Sequence, residues 1–65
     1  MLKLFDTIEE AIEGAKEFAL AVHAQYAYGS AGGRFAVVRV GARGPEYESF
    51  QMAGYVDEDG EVRPN

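Results

Sequence analysis

Cysteine is absent from these 65 residues, which removes disulfide bonds and thiolate metal sites together and fits a reducing compartment. The single histidine, His23, has neither a cysteine nor a second histidine to work with. It therefore reads as a residue at the boundary of an apolar helix face, not as a ligand or catalytic base. Long apolar runs are missing too. The longest, residues 18–22, is far too short to span a bilayer, and residues 1–5 run straight into acids without the apolar stretch of a leader peptide. These absences lead to the expectation of a soluble, cytoplasmic protein with no membrane partner. Positive charge is scarce, six Lys and Arg against eleven Asp and Glu for a net −5. Phosphate backbones and anionic lipids are repelled by such a chain, so no direct nucleic-acid binding is expected.

What is present suffices for one small domain over residues 1–65. The apolar fraction of 48% is that of a globular protein, not a disordered one. Thr7-Ile8-Glu9-Glu10 matches a capping box, and Ile8, Ala11, Ile12, Ala15, Phe18, Ala19, Val22 and Tyr26 follow at spacings of three and four. This predicts an amphipathic helix ending at Gly29, with residues 29–33 as a flexible link. Gly14 lies inside that helix at a cost of about 1 kcal/mol. Residues 35–40 then read as a strand, residues 41–45 as a turn and residues 47–56 as a second strand. The Asp59-Gly60 turn leads to a short third strand at 61–63, and residues 1–5 are a candidate edge strand. The predicted fold is α+β in two layers: one N-terminal helix packed on a three-stranded antiparallel β-meander. Alternation assigns Ala36, Val38, Val40, Phe50, Met52 and Val56 to the helix side, and Phe35, Val37, Tyr47 and Tyr55 to an uncovered outer face.

No catalytic constellation or cofactor signature stands out. Residues 57–61 (Asp-Glu-Asp-Gly-Glu) carry acids, but the glycine is misplaced for an EF-hand loop and no glutamate closes it, so a hairpin turn accounts for them. The glycines at 29–33 lack the order and the following helix of a phosphate cradle. Arg34 and Arg39 fall on opposite faces of one strand and form no basic stripe. Paired carboxylates abound, yet acid–base chemistry needs a concave pocket that one helix on a small sheet does not suggest. A non-enzymatic protein is expected.

The acids themselves are distinctive. Glu9/Glu13, Glu10/Glu13 and Glu13/Glu17 are like-charge pairs at helical spacing, each destabilising by about 0.2–0.5 kcal/mol. A second acidic block, Glu46, Glu48, Asp57, Glu58, Asp59 and Glu61, has only Arg63 to offset it within residues 44–65. In size, lack of cysteine, acidic helix (Glu9, Glu10, Glu13, Glu17) and acidic meander, the chain resembles the small acidic anti-CRISPR proteins of phages, especially type I-C inhibitors of the DNA-mimic kind. That resemblance implies an inhibitor acting in the host bacterial cytoplasm. It would bind a basic DNA-contacting surface of a CRISPR surveillance complex and block DNA recognition. The contact residues expected are Glu10, Glu13, Glu17, Glu46, Glu48, Asp57, Glu58, Asp59 and Glu61. Arg34, Arg39 and Arg43 depart from a purely anionic mimic. The protein is expected to be a monomer or weak homodimer, and the alternative function is a small self-associating adaptor module that uses the exposed outer apolar face of its sheet.

Overall fold

A computed structural model describes residues 3–64. Strand β1 (Lys3–Phe5) leads into helix α1 (Ile8–Val22), then β2 (Tyr26–Ala31), β3 (Arg34–Arg39), a 3₁₀ turn (Pro45–Tyr47), β4 (Gln51–Val56) and β5 (Val62–Pro64). The fold is α+β, with one helix on a five-stranded sheet of order β1-β3-β2-β4-β5 whose neighbours are all antiparallel. No helix among the described residues is long and apolar enough to cross a membrane.

Five strands replace the three expected, and residues 26–31 account for most of the difference. They form the central strand, not the end of the helix and its linker. The helix stops at Val22 because His23 turns into the left-handed region (φ 53°) and the Ala24 amide bonds back to the Ala19 carbonyl at 3.3 Å. Gly32 and Gly33, at φ 57° and 83°, make the two-residue turn joining β2 to β3. The candidate edge strand is present over Lys3–Phe5; Met1 and Leu2 lie outside the described residues.

Since β2 pairs antiparallel with both β3 and β4, those two run parallel, and residues 40–50 must return along the sheet to begin β4. The helix takes one face and this crossover the other. On the helix side, Ala11, Ala15 and Ala19 pack with Tyr28, Val37 and Val56, flanked by Phe5, Ile8, Ile12, Tyr26 and Phe35. Phe35 and Val37 therefore face the helix, whereas Ala36, Val38 and Met52 do not, the reverse of the expected assignment. Alternation could not decide β3 because it is apolar on both faces, and both are covered. Ala27, Ala36 and Val38 are buried on the second face, where Tyr47 and Phe50 of the crossover line a cleft with Ala27 and Val38. That face is not bare, although Leu4 and Met52 remain partly exposed on it.

Three glycines permit close approaches. A Cβ on Gly14 would lie 2.6 Å from Phe5 Cζ, so the missing side chain is the seat of the β1 phenylalanine against the helix. A Cβ on Gly29 would run into the Gln51 carbonyl of β4, beside a register shift in the β2–β4 ladder. On Gly54 it would meet the Tyr28 hydroxyl and lie 2.7 Å from the Arg63 carbonyl oxygen.

Candidate acidic interface

The helix is built outward from its cap. Thr7 is extended (φ −129°, ψ 156°), its hydroxyl accepts from the Glu10 amide at 3.1 Å, and the Thr7 amide donates to Glu10 Oε1 at 3.2 Å. The expected capping box is therefore formed, and it fixes the register in which Ala11, Ala15 and Ala19 are buried. Glu9, Glu10, Glu13 and Glu17 are thereby turned to solvent. At a rise of about 1.5 Å per residue, Glu13 and Glu17 are about 6 Å apart along the axis and Glu10 and Glu17 about 10 Å. These four acids border a shallow groove of about 380 Å³ floored by Phe5 and Gly14. Lys16, 3.2 Å from Glu13, is the one cation paired with this ridge among the described residues. Glu10 spends one oxygen on the cap, while Glu9 and Glu17 have no ion-pair partner there.

The second acidic block is divided. Asp57 is mostly buried and accepts from Arg63 Nε at 2.8 Å and from Gln25 Nε2 at 3.3 Å. Arg63 also reaches Glu61 at 3.4 Å, and the Glu61 amide donates to Asp59 Oδ1 at 3.3 Å. The Asp57 hydrogen bond first, then the negative charges of Glu61 and Asp57, raise the Arg63 pKa above its ordinary value. Oxygens of Asp57, Asp59 and Glu61 come within 4.8 Å of one another, but Arg63 already bridges two of these groups. The turn closes through Asp57–Glu61 and Gly60–Asp57 backbone bonds of 2.9 Å, and Gly60 packs on Leu20, so its tip stands beside the C-terminal half of the helix. Glu58 has no ion-pair partner among the described residues.

Glu46 and Glu48 are exposed residues of the crossover, either side of Tyr47. The structure thus brings Glu10, Glu13 and Glu17 together, sets the 57–61 turn beside their helix, and leaves Glu46 and Glu48 out of the groove that the helix acids line. The cations divide as well. Arg34 pairs with Asp6 at 2.7 Å, whereas Lys3, Arg39 and Arg43 have no ion-pair partner among the described residues. His23 is an exposed helix cap. Sequence reasoning passed over Phe5 as groove floor; the signal was Gly14, a helix-interior glycine whose energetic cost had no local purpose.

No protein-family model matches this chain, and neither a curated protein nor a solved structure does.

Proposed function

We propose that this chain is a non-enzymatic inhibitor whose acidic helix face occupies a cationic, nucleic-acid-binding surface of a protein complex. The setting proposed is that of a phage anti-CRISPR protein in the bacterial cytoplasm, blocking DNA recognition by a type I surveillance complex. The observation carrying this reading is the ridge of Glu9, Glu10, Glu13 and Glu17, with which Lys16 alone forms an ion pair among the described residues. Clustered like charge costs the helix stability, and a cationic partner returns that cost on binding. Lysines and arginines that line a DNA groove are arranged for phosphates, and carboxylates at about 6 Å intervals on a rigid helix can engage several together. The contact surface proposed is narrower than the sequence implied. It centres on Glu10, Glu13 and Glu17 with Glu58 at the adjacent turn, because Asp57 and Glu61 are engaged by Arg63.

The test is competition with labelled duplex DNA for a purified surveillance complex. The protein is expected to displace DNA, with affinity falling steeply as salt rises. Changing Glu10, Glu13 and Glu17 together to Gln is expected to weaken competition by about tenfold to a hundredfold. Glutamine at position 10 still serves the capping box, so the helix is kept. Unaltered DNA binding at saturating protein, or equal competition by the Gln variant, overturns the reading.

A further inference from the structure

On this acidic molecule the cleft beside β1 and β3 is lined by two cations and three aromatic rings and by no carboxylate. It has a volume of about 260 Å³ and is bounded by Lys3, Arg39, Phe18, Tyr26 and Tyr47 over Val37. Register explains how these residues meet. Lys3 lies opposite Val37, Arg39 lies two residues further along the same strand face, and Tyr26 lies directly opposite Arg39. The two cations are thus diagonal neighbours across β1 and β3, with backbones about 7–8 Å apart, and both side chains can reach a single anionic group. Each is exposed, and neither has an ion-pair partner among the described residues. From the helix, Phe18 stacks on Tyr26 with ring centroids 5.5 Å apart and an interplanar angle of 28°, and it keeps 38% of its surface exposed. Planar rings beside unpaired cations suit a ligand that is itself planar at one end and anionic at the other.

We propose that this cleft binds a small aromatic anion: a planar ring against Phe18 and Tyr26, with its phosphate or carboxylate held by Lys3 and Arg39. The site adjoins the acidic ridge, since Lys3 and Phe18 also line a pocket with Glu17, but it is tested through different residues. A polyanionic strand is disfavoured by the net −5, whereas a ligand of one or two charges meets mainly the local field.

The experiment is a titration of the full chain followed by backbone amide resonances. Adenosine monophosphate and benzoate serve as probes, with adenosine and inorganic phosphate supplying ring and anion separately. Saturable shifts at Lys3, Phe18, Tyr26 and Arg39 are expected with one or both probes, at dissociation constants of about 0.1–1 mM. Adenosine monophosphate alone identifies a phosphate site, benzoate alone a carboxylate site, and both a site for either anion. Arg39→Gln and Lys3→Gln are each expected to weaken binding about three- to tenfold while leaving the rest of the spectrum unchanged. The proposal is overturned if neither probe shifts these amides at about 10 mM. Affinity unchanged from the parent in both variants overturns it as well, as does binding of adenosine or inorganic phosphate as tight as that of adenosine monophosphate.

Discussion

Gly29→Ala separates a central strand from a flexible link more sharply than any other single substitution in this chain. If residues 29–33 were a solvated linker, alanine would be neutral or stabilising by about 0.4–1 kcal/mol through the unfolded state. In the folded sheet the new Cβ overlaps the Gln51 carbonyl oxygen and lies 2.8 Å from its carbon and 3.0 Å from the Ala53 amide nitrogen. All three are backbone atoms, so no rotamer change relieves the clash, and β2 and β4 must part at their bulge. Overpacking that moves backbone costs about 1–3 kcal/mol, and with no side chain able to yield the cost here falls at the upper end of that range. A domain of this size holds roughly 3–10 kcal/mol in total. The melting temperature is therefore expected to fall by about 12 °C, at about 4 °C per kcal/mol. Thermal and urea unfolding followed by circular dichroism measure it. Gly33→Ala is the control: its Cβ meets nothing within 4 Å, and only the positive φ of 83° is charged against it, about 1–2 kcal/mol. A Gly29→Ala melting temperature within about 3 °C of the parent would refute the close β2–β4 approach.

Gly14→Ala is expected to destabilise the chain despite a helix-propensity gain of about 1 kcal/mol, because its Cβ would sit 2.6 Å from Phe5 Cζ. In a Phe5→Ala background the same change is expected to stabilise, and a double-mutant cycle by urea denaturation reads the reversal. His23→Gly is expected to add about 0.5–1 kcal/mol by relieving the left-handed backbone at the helix end, seen as a higher urea midpoint at unchanged slope. Glu17→Gln is expected to raise stability by about 0.3–0.5 kcal/mol at low ionic strength and to lose that advantage near 1 M salt, where exposed like charges are screened. A gain independent of salt would remove the repulsion assigned to Glu13 and Glu17.

Local chemistry was legible in the sequence and long-range pairing was not. The Thr7–Glu10 box and the 57–61 turn depend on residues within three or four positions of each other, and both form as expected. The helix end was misread because Tyr26 lies four residues after Val22, continuing the helical stripe by coincidence of spacing. The chain break comes from His23, a residue with no strong sequence signature as a left-handed cap. The pattern Tyr-Ala-Tyr-Gly-Ser-Ala over Tyr26–Ala31 alternates large with small, and only the sheet explains it. Tyr26 and Tyr28 meet the helix, while Ala27 and Gly29 make room for the crossover and β4. The β1–β3 and β2–β4 pairings join segments more than 20 residues apart, and nothing local specifies them.

The same division governs the candidate sites. Helical spacing alone placed Glu10, Glu13 and Glu17 on one ridge, since an i, i+3, i+4 pattern holds wherever the helix docks. Which acids have their charge offset by a neighbouring cation depends on how the chain folds back on itself. Arg34 reaches Asp6 over 28 positions, and Arg63 gathers Asp57 and Glu61 from the turn before it. Counting charge by block could not separate these from the free ridge. Lys3 and Arg39 rise from the helix-facing side of the sheet, since Val37, opposite Lys3 and two residues before Arg39, packs on the helix. Lys3 lines a pocket with Phe18 and Glu17, so it stands beside the C-terminal end of the ridge. A cationic partner approaching the helix therefore meets Glu9, Glu10 and Glu13 with Glu17 partly offset by Lys3, while an anion approaching the β1–β3 cleft meets Lys3 and Arg39 with Glu17 at its edge.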